Sequence, residues 1–218
     1  MRRLLLAGAA AIFALASVAK ADNITLTATA DGTLVDTINS GGLPFLDVNN
    51  VDFGTAFLLN SLTLNSAGSL AKPAELNTNS LDVAAQATGN HQLILDVTAS
   101  GLLGSGSLQN FLSEFSVTGL TTGWSVTEQT FINGTPEASF TTLANSASFD
   151  ANTLALETNP FSAEVRYTIN SVGVGQFNGG IDISAPVPAP LIGAGLPGLL
   201  AALGGMFGLN RFRRRRVA

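Results

Sequence analysis

Few side chains of this 218-residue sequence have types and spacings that support catalysis or metal binding. His91 is the only histidine, and a general base would need a nucleophile and an orienting acid beside it. No Gly-x-Ser-x-Gly segment surrounds any serine. We therefore predict that His91 is a solvated turn residue and that the protein is not an enzyme. No cofactor is indicated.

A weak calcium candidate lies in residues 47–52, where oxygen-bearing side chains are concentrated. Calcium takes six to eight oxygen ligands, but Asp and Asn also favour tight turns for backbone reasons alone. The spacing does not match an EF-hand, so the sequence favours a turn. The candidate ligands are Asp47, Asn49, Asn50 and Asp52.

Carboxylate pairs could hydrolyse glycosides, but none of the available residues lies in a recognisable motif. We expect them on exposed strand faces. Trp124 and Tyr167 are the only Trp and Tyr, which argues mildly against a broad aromatic platform for sugars. We expect Trp124 in the core, and we expect Glu164 to pair with Arg166 on one strand face. The glutamates in question are Glu114, Glu128, Glu137, Glu157 and Glu164.

The elements that position these residues are predicted to be strands. Residues 24–30, 93–97 and 161–169 alternate apolar and polar side chains with a period of two, which is typical of strands buried on one face. Residues 109–117 fit a strand or a helix, and we favour the strand. Turn signals separate the segments. The sequence therefore predicts one antiparallel β-sandwich over residues 22–184, immunoglobulin-like or jelly-roll. The turn signals are Asp31-Gly32, Gly41-Gly42, Gly89-Asn90, Asn133-Gly134 and Asn178-Gly179-Gly180.

Charged residues make up only 11% of the chain, and the acidic and most of the basic residues lie in different parts of it. All 15 acidic residues lie between Asp22 and Asp182, and only Lys72 and Arg166 are basic within that part. Such an acidic body repels phosphate, which excludes a nucleic-acid partner. The absence of cysteine excludes a disulfide scaffold and thiol catalysis.

Residues 1–21 have the three parts of a secretory signal peptide. Two arginines precede an apolar run of about 15 residues, which is short for a membrane-spanning helix. Small residues, Ala19 and Ala21, stand at the −3 and −1 positions of a cleavage site. We predict export by the Sec machinery and removal of residues 1–21 by signal peptidase. The alternative is an uncleaved N-terminal anchor.

Residues 191–209 form a second apolar segment, which carries no charge. As a helix it would span roughly 28 Å, close to the hydrocarbon thickness of a bilayer. We predict a transmembrane helix, followed at residues 210–218 by a tail whose arginines resist translocation and stay in the cytoplasm. The acidic body then lies on the other side of the membrane. The retaining residues are Arg211, Arg213, Arg214, Arg215 and Arg216.

Val187-Pro188-Ala189-Pro190, in the predicted linker 185–190, precedes this Gly-rich helix and the arginine cluster. The three features in this order resemble the PEP-CTERM sorting signal of exported proteins from Gram-negative bacteria that make extracellular polysaccharide. Ala189 departs from the motif, which most often has Glu there. The resemblance implies a sorting motif at Val187, Pro188 and Pro190, transient residence in the inner membrane, and tail removal by an exosortase-like enzyme. An ordinary single-pass anchor is the alternative.

We therefore expect an exported protein of the cell surface or extracellular matrix, with a structural or interaction role linked to exopolysaccharide. The alternative is a secreted polysaccharide-binding module or a glycan-active enzyme. Two carboxylates about 5 to 10 Å apart in a cleft, or a row of exposed aromatic side chains, would favour that alternative.

Overall fold

The fold is known from a computed structural model, which describes residues 23–69, 72–104 and 106–185. These residues form twelve β-strands and no helix. The predicted signal peptide, sorting motif, transmembrane helix and arginine tail lie outside the described residues. The strands are β1 Asn23–Ala30, β2 Thr33–Asn39, β3 Phe45–Phe53, β4 Phe57–Ser69, β5 Lys72–Ala85, β6 Asn90–Leu102, β7 Leu108–Leu120, β8 Ser125–Ile132, β9 Thr135–Thr142, β10 Ala147–Leu156, β11 Phe161–Val172 and β12 Gly175–Ser184.

Within the described ranges, no helix is long and apolar enough to cross a membrane.

The strands form two six-stranded sheets. Sheet A has the order β2-β1-β6-β11-β8-β9, and sheet B has the order β10-β7-β12-β5-β4-β3. Every pairing between neighbouring strands is antiparallel. The two sheets enclose one hydrophobic core, so the predicted antiparallel sandwich is confirmed.

The core follows from the period-two alternation of the strands. Ile24, Leu26 and Ala28 of β1 are buried, and their neighbours along the strand are only partly buried. The same alternation runs through β6 and β11, so the predicted inward faces are confirmed. Trp124 is fully buried, as expected. Burial of each such large apolar side chain contributes about 1.5–3 kcal/mol to folding.

Residues 109–117 lie in strand β7, which resolves the choice between strand and helix. Phe111, Ser113 and Phe115 are buried, and Glu114 between them is exposed. A helix would place Phe111 and Phe115 on the same side as well, but only a strand also turns Ser113 inward, where its hydroxyl lies 2.8 Å from that of Thr130.

The predicted turn over residues 47–52 is wrong. These residues lie within β3, at the edge of sheet B, and Val48 is buried opposite Leu62 of β4. Packing of Val48 on the core therefore outweighs the turn preference of the surrounding Asp and Asn residues. Asn50 alone has a positive φ, 54°, which Asn tolerates better than most residues.

The prediction of exposed carboxylates is wrong for two glutamates. Glu128 is fully buried and Glu157 nearly so. Glu128 shares the inward face of β8 with Val126 and Thr130, and its strand register places it beside Tyr167 of β11. Neither carboxyl oxygen has a hydrogen-bond partner among the described residues. Burial raises the pKa of Glu128 to about 8, so the carboxyl is protonated at neutral pH.

The buried carboxyl makes stability depend on pH. Between pH 4.5 and 8 the folded protein keeps the Glu128 proton that the unfolded chain releases. The free energy of unfolding should therefore fall with rising pH, by up to about 1.4 kcal/mol per pH unit from this group. Glu128→Gln should remove that part of the slope, measured by urea unfolding across this range. Asp47→Asn, at an exposed position of β3, is the control. Equal slopes for wild type and Glu128→Gln would contradict the assignment.

Candidate functional site

A groove crosses the outer face of sheet B, with a volume of about 720 Å³. It is lined by residues of five strands: β4, β5, β12, β7 and β10. Most of its lining side chains are hydroxyls, amides and carboxylates, and the apolar part consists of Leu81, Phe115 and Ile181. We call this feature the sheet B groove.

The groove is concave because bulges in neighbouring strands lie side by side. The pairing of β12 shifts register between Gly179 and Asp182 against β5, and between Asn178 and Gly179 against β7. The pairing of β4 with β5 shifts between Leu59 and Ser61. A bulge bends its strand, so bulges aligned across a sheet curve one face inward.

Two glycines of β12 fit closely beside bulges whose extra residues lie in the neighbouring strands β5 and β7. A Cβ on Gly179 would lie 2.7 Å from the carbonyl oxygen of Ser116 and 2.6 Å from the ring of Phe177. A Cβ on Gly180 would lie 2.8 Å from the carbonyl oxygen of Thr78. The predicted turn at Asn178-Gly179-Gly180 is therefore wrong: the glycines lie within β12 and allow close backbone approach.

The hydroxyl of Thr78 replaces the ladder hydrogen bonds that the bulge removes. It donates to the carbonyl of Ile181 over 2.9 Å and accepts from the amide of Ile181 over 2.8 Å. It also bonds the hydroxyl of Tyr167, which must donate because the Thr78 proton is already used. Tyr167 belongs to β11 of sheet A, so this contact joins the floor of the groove to the opposite sheet.

Acidic residues dominate the charge of the groove. Its carboxylates are Asp82, Glu114, Asp150 and Asp182, and no Lys, Arg or His is among its described lining residues. Asp182 accepts a hydrogen bond from the Asn77 amide over 3.3 Å. Partial burial raises the pKa of Asp182 to about 6, and repulsion from Glu75 and Glu114 adds to this effect.

His91 lies at the start of β6, not in the groove. Its Nδ1 is 2.8 Å from Asp31 Oδ2, and its Nε2 is 3.3 Å from the carbonyl oxygen of Thr88. The hydrogen bond to Asp31 raises the pKa of His91, and Asp31 has a lowered pKa because it accepts from the Gln92 amide and from His91. These contacts tie the β1–β2 turn to β6.

The other residues singled out from the sequence do not converge on a site. Arg166 pairs with Glu164 at 3.1 Å, and it also bonds Asp96. The calcium candidates Asp47, Asn49, Asn50 and Asp52 follow one another along β3 and do not line the groove. In the described part of the chain, no group of three or more His, Asp or Glu is placed to hold a metal ion. The sorting and cleavage residues lie outside the described ranges.

Sequence reasoning missed the groove itself. Its polar residues come from five strands, and they share one face only through the strand order and register, which the sequence pattern does not predict. The available signal was the Gly179-Gly180 pair within a strand-like segment, since glycine inside a strand often marks a place where another backbone approaches closely. The aromatic residues give no such signal, because Trp124 and Tyr167 are both buried.

Comparisons with known proteins return distant structural neighbours. TmCBM61 in complex with β-1,4-galactotriose has 11% identity and a TM-score of 0.38, over 66% of this chain and 89% of its own. TmCBM27, a mannan-recognising carbohydrate-binding module, has 8% identity and a TM-score of 0.33, over 65% and 96%. The C-terminal module CBM6 of the laminarinase LamC from Zobellia galactanivorans has 11% identity and a TM-score of 0.28, over 64% and 98%.

No protein-family model matches the sequence, and no curated protein matches it either. The function is therefore inferred from the geometry and chemistry of the sheet B groove.

The Thr78 contact predicts a large effect on stability. Thr78→Val keeps the shape of the side chain but leaves the amide and carbonyl of Ile181 and the hydroxyl of Tyr167 without their partner. We expect the free energy of unfolding to fall by on the order of 3 kcal/mol, measured by denaturant unfolding. Thr118→Val is the matched control, because that hydroxyl is exposed and its bond to Asn178 is long, at 3.5 Å. Similar losses in both variants would contradict the role of Thr78.

Proposed function

We propose that the protein is exported to the cell surface or extracellular matrix, and that its sandwich binds a polysaccharide in the sheet B groove. The observation that carries this proposal is the groove, which is concave, crosses five strands and is lined mainly by polar side chains. Its volume of about 720 Å³ falls within the usual range for ligand sites, roughly 300–1,000 Å³.

The chemistry of the lining suits a carbohydrate. Sugar hydroxyls both donate and accept hydrogen bonds, and the groove offers hydroxyls and amides together with carboxylates, which only accept. The amides of Asn79 and Asn178 are the best placed, since neither has a side-chain hydrogen bond to the described residues. Both can bind a ligand without giving up a contact that holds the fold.

Replacing these amides tests the binding site. Asn79→Ala and Asn178→Ala should each weaken glycan binding by about 2- to 12-fold, the value of one hydrogen bond, and leave the melting temperature nearly unchanged. Binding is measured by affinity electrophoresis against a panel of soluble polysaccharides and then by calorimetry. Asn170→Ala is the control, because Asn170 is a polar residue on β11 of the opposite sheet. The proposal would be contradicted if no polysaccharide of the panel bound, or if all three variants lost binding affinity equally.

Glycoside hydrolysis is a second candidate, favoured by one observation. Glu114 and Asp182 are directly opposed on neighbouring strands, which places their Cβ atoms about 4.5–5.5 Å apart. The raised pKa of Asp182 is also in the direction that a general acid needs. However, one oxygen of Asp182 accepts from Asn77 and the other is covered by protein, so we place binding first. The test is incubation with a glycan that binds. If the wild-type protein produces new reducing ends and Glu114→Gln does not, hydrolysis becomes the favoured function.

The sorting part of the proposal rests on the two ends of the sequence. The basic and apolar residues before Ala21 direct export, and the segment from Val187 to Arg216 holds the chain at the inner membrane until its tail is removed. Pro188 and Pro190 keep the chain extended there, which presents the backbone to a processing enzyme.

Mass spectrometry of the product from a host with exosortase tests this part. The mature protein should begin at Asp22 and lack the arginine tail. The double variant Pro188→Ala/Pro190→Ala should retain the tail, and Ala189→Glu, which restores the commonest form of the motif, should still be processed. An intact arginine tail on the released wild-type protein would contradict processing.

A further inference from the structure

We propose that the sheet B groove selects polysaccharides that carry ammonium groups, such as polymers of de-N-acetylated hexosamine. This inference rests on the proposed glycan-binding function and specifies the class of its ligand.

Three carboxylates lie in line across neighbouring strands of the groove. Asp150 of β10 is opposite Glu114 of β7, and Glu114 is opposite Asp182 of β12. The line continues to Asn77 of β5, which is opposite Asp182. Glu114 and Asp150 are exposed, so their charges face the open groove.

The protein leaves this line of charge uncompensated. Like charges directly opposite each other on a sheet are destabilising, and the described lining residues include no cation. By contrast, Asp96 and Glu164 on sheet A share Arg166 between them. Burial is the main cause of the raised pKa of Asp182, and repulsion from Glu114 in the groove and from Glu75 raises this pKa further. A cationic ligand would therefore reduce the electrostatic repulsion between these carboxylates that is present in the free protein.

The carboxylates do not converge on one point, which argues against a metal ion as that cation. Among the described residues, no three acidic side chains are placed to hold a metal. Instead the charges repeat from strand to strand, about 4.8 Å apart. This spacing is close to the length that one pyranose ring adds to an extended polysaccharide. A chain lying across the strands would therefore present one ring, with its substituents, to each strand in turn.

The other lining groups favour an amino sugar over a simple polycation. The groove is also lined by hydroxyls and amides, including those of Asn79, Asn178 and Ser148. Sugar hydroxyls would bond these groups, and a flexible basic peptide would leave most of them to water. Uronic acid polymers and sulfated polymers would be repelled by the four carboxylates.

The experiment compares ligands that differ in the amino group alone. Glucosamine and N-acetylglucosamine oligosaccharides of equal length are titrated into the full sandwich at pH 6 by calorimetry, alongside cello-oligosaccharide, polygalacturonate and polylysine. We expect the glucosamine oligomer to bind most tightly, and its affinity to fall with rising salt. Glu114→Gln and Asp150→Asn should each weaken its binding by about 2- to 5-fold and should weaken cello-oligosaccharide binding less.

Asp36→Asn on β2 of sheet A removes the same charge far from the groove and should change nothing. Equal or tighter binding of the acetylated, neutral or anionic glycans would overturn the inference and leave the proposed function standing. Polylysine binding that matches the glucosamine oligomer would also overturn it, in favour of a basic peptide. Absence of binding to every glycan would overturn the proposed function as well.

Discussion

The hydroxyl of Thr78 is the contact on which the shape of sheet B depends. It satisfies both backbone groups of Ile181 at the point where β12 leaves its regular pairing with β5, and it is held in turn by Tyr167 of the opposite sheet. A bulge in the middle of a sheet costs hydrogen bonds that must be regained elsewhere. Here a single buried side chain regains them and links the curved part of sheet B to Tyr167 in the core.

The carboxyl groups of the core and of the groove differ in charge. In the core, Glu128 is protonated at neutral pH because its carboxyl is buried and has no hydrogen-bond partner among the described residues. In the groove, the exposed carboxylates of Glu114 and Asp150 stand in water beside a half-buried Asp182. The protein thus concentrates negative charge on one concave face that lies above an apolar floor. Such a face is suited to a polar ligand that brings positive charge with it.

The sequence predicts the inward-facing residues of the strands better than it predicts how the outward-facing residues are arranged. Residues 24–30, 93–97 and 161–169 alternate because one face packs on the core, and that packing fixes both the strand and its orientation. The outward residues of sheet B are brought together only by strand order and register, which link β5, β7 and β12 over about 100 residues of sequence. Gly179-Gly180 resembles a turn locally, and only the register shows that the pair lies within β12 beside bulges of β5 and β7. Period-two alternation places Glu128 on the inward face of β8 with Val126, but its charge favours an exposed position, and this second expectation is the wrong one.

The central claim about this protein is that its ligand binds on the curved face of sheet B. Nuclear magnetic resonance shifts of backbone amides, followed as a glucosamine oligosaccharide is added, measure this directly. The shifts should be largest at Asn79, Glu114, Gly180 and their neighbours, along one line across the sheet. Shifts confined to the outer face of sheet A, or to the loops that join the two sheets, would contradict it.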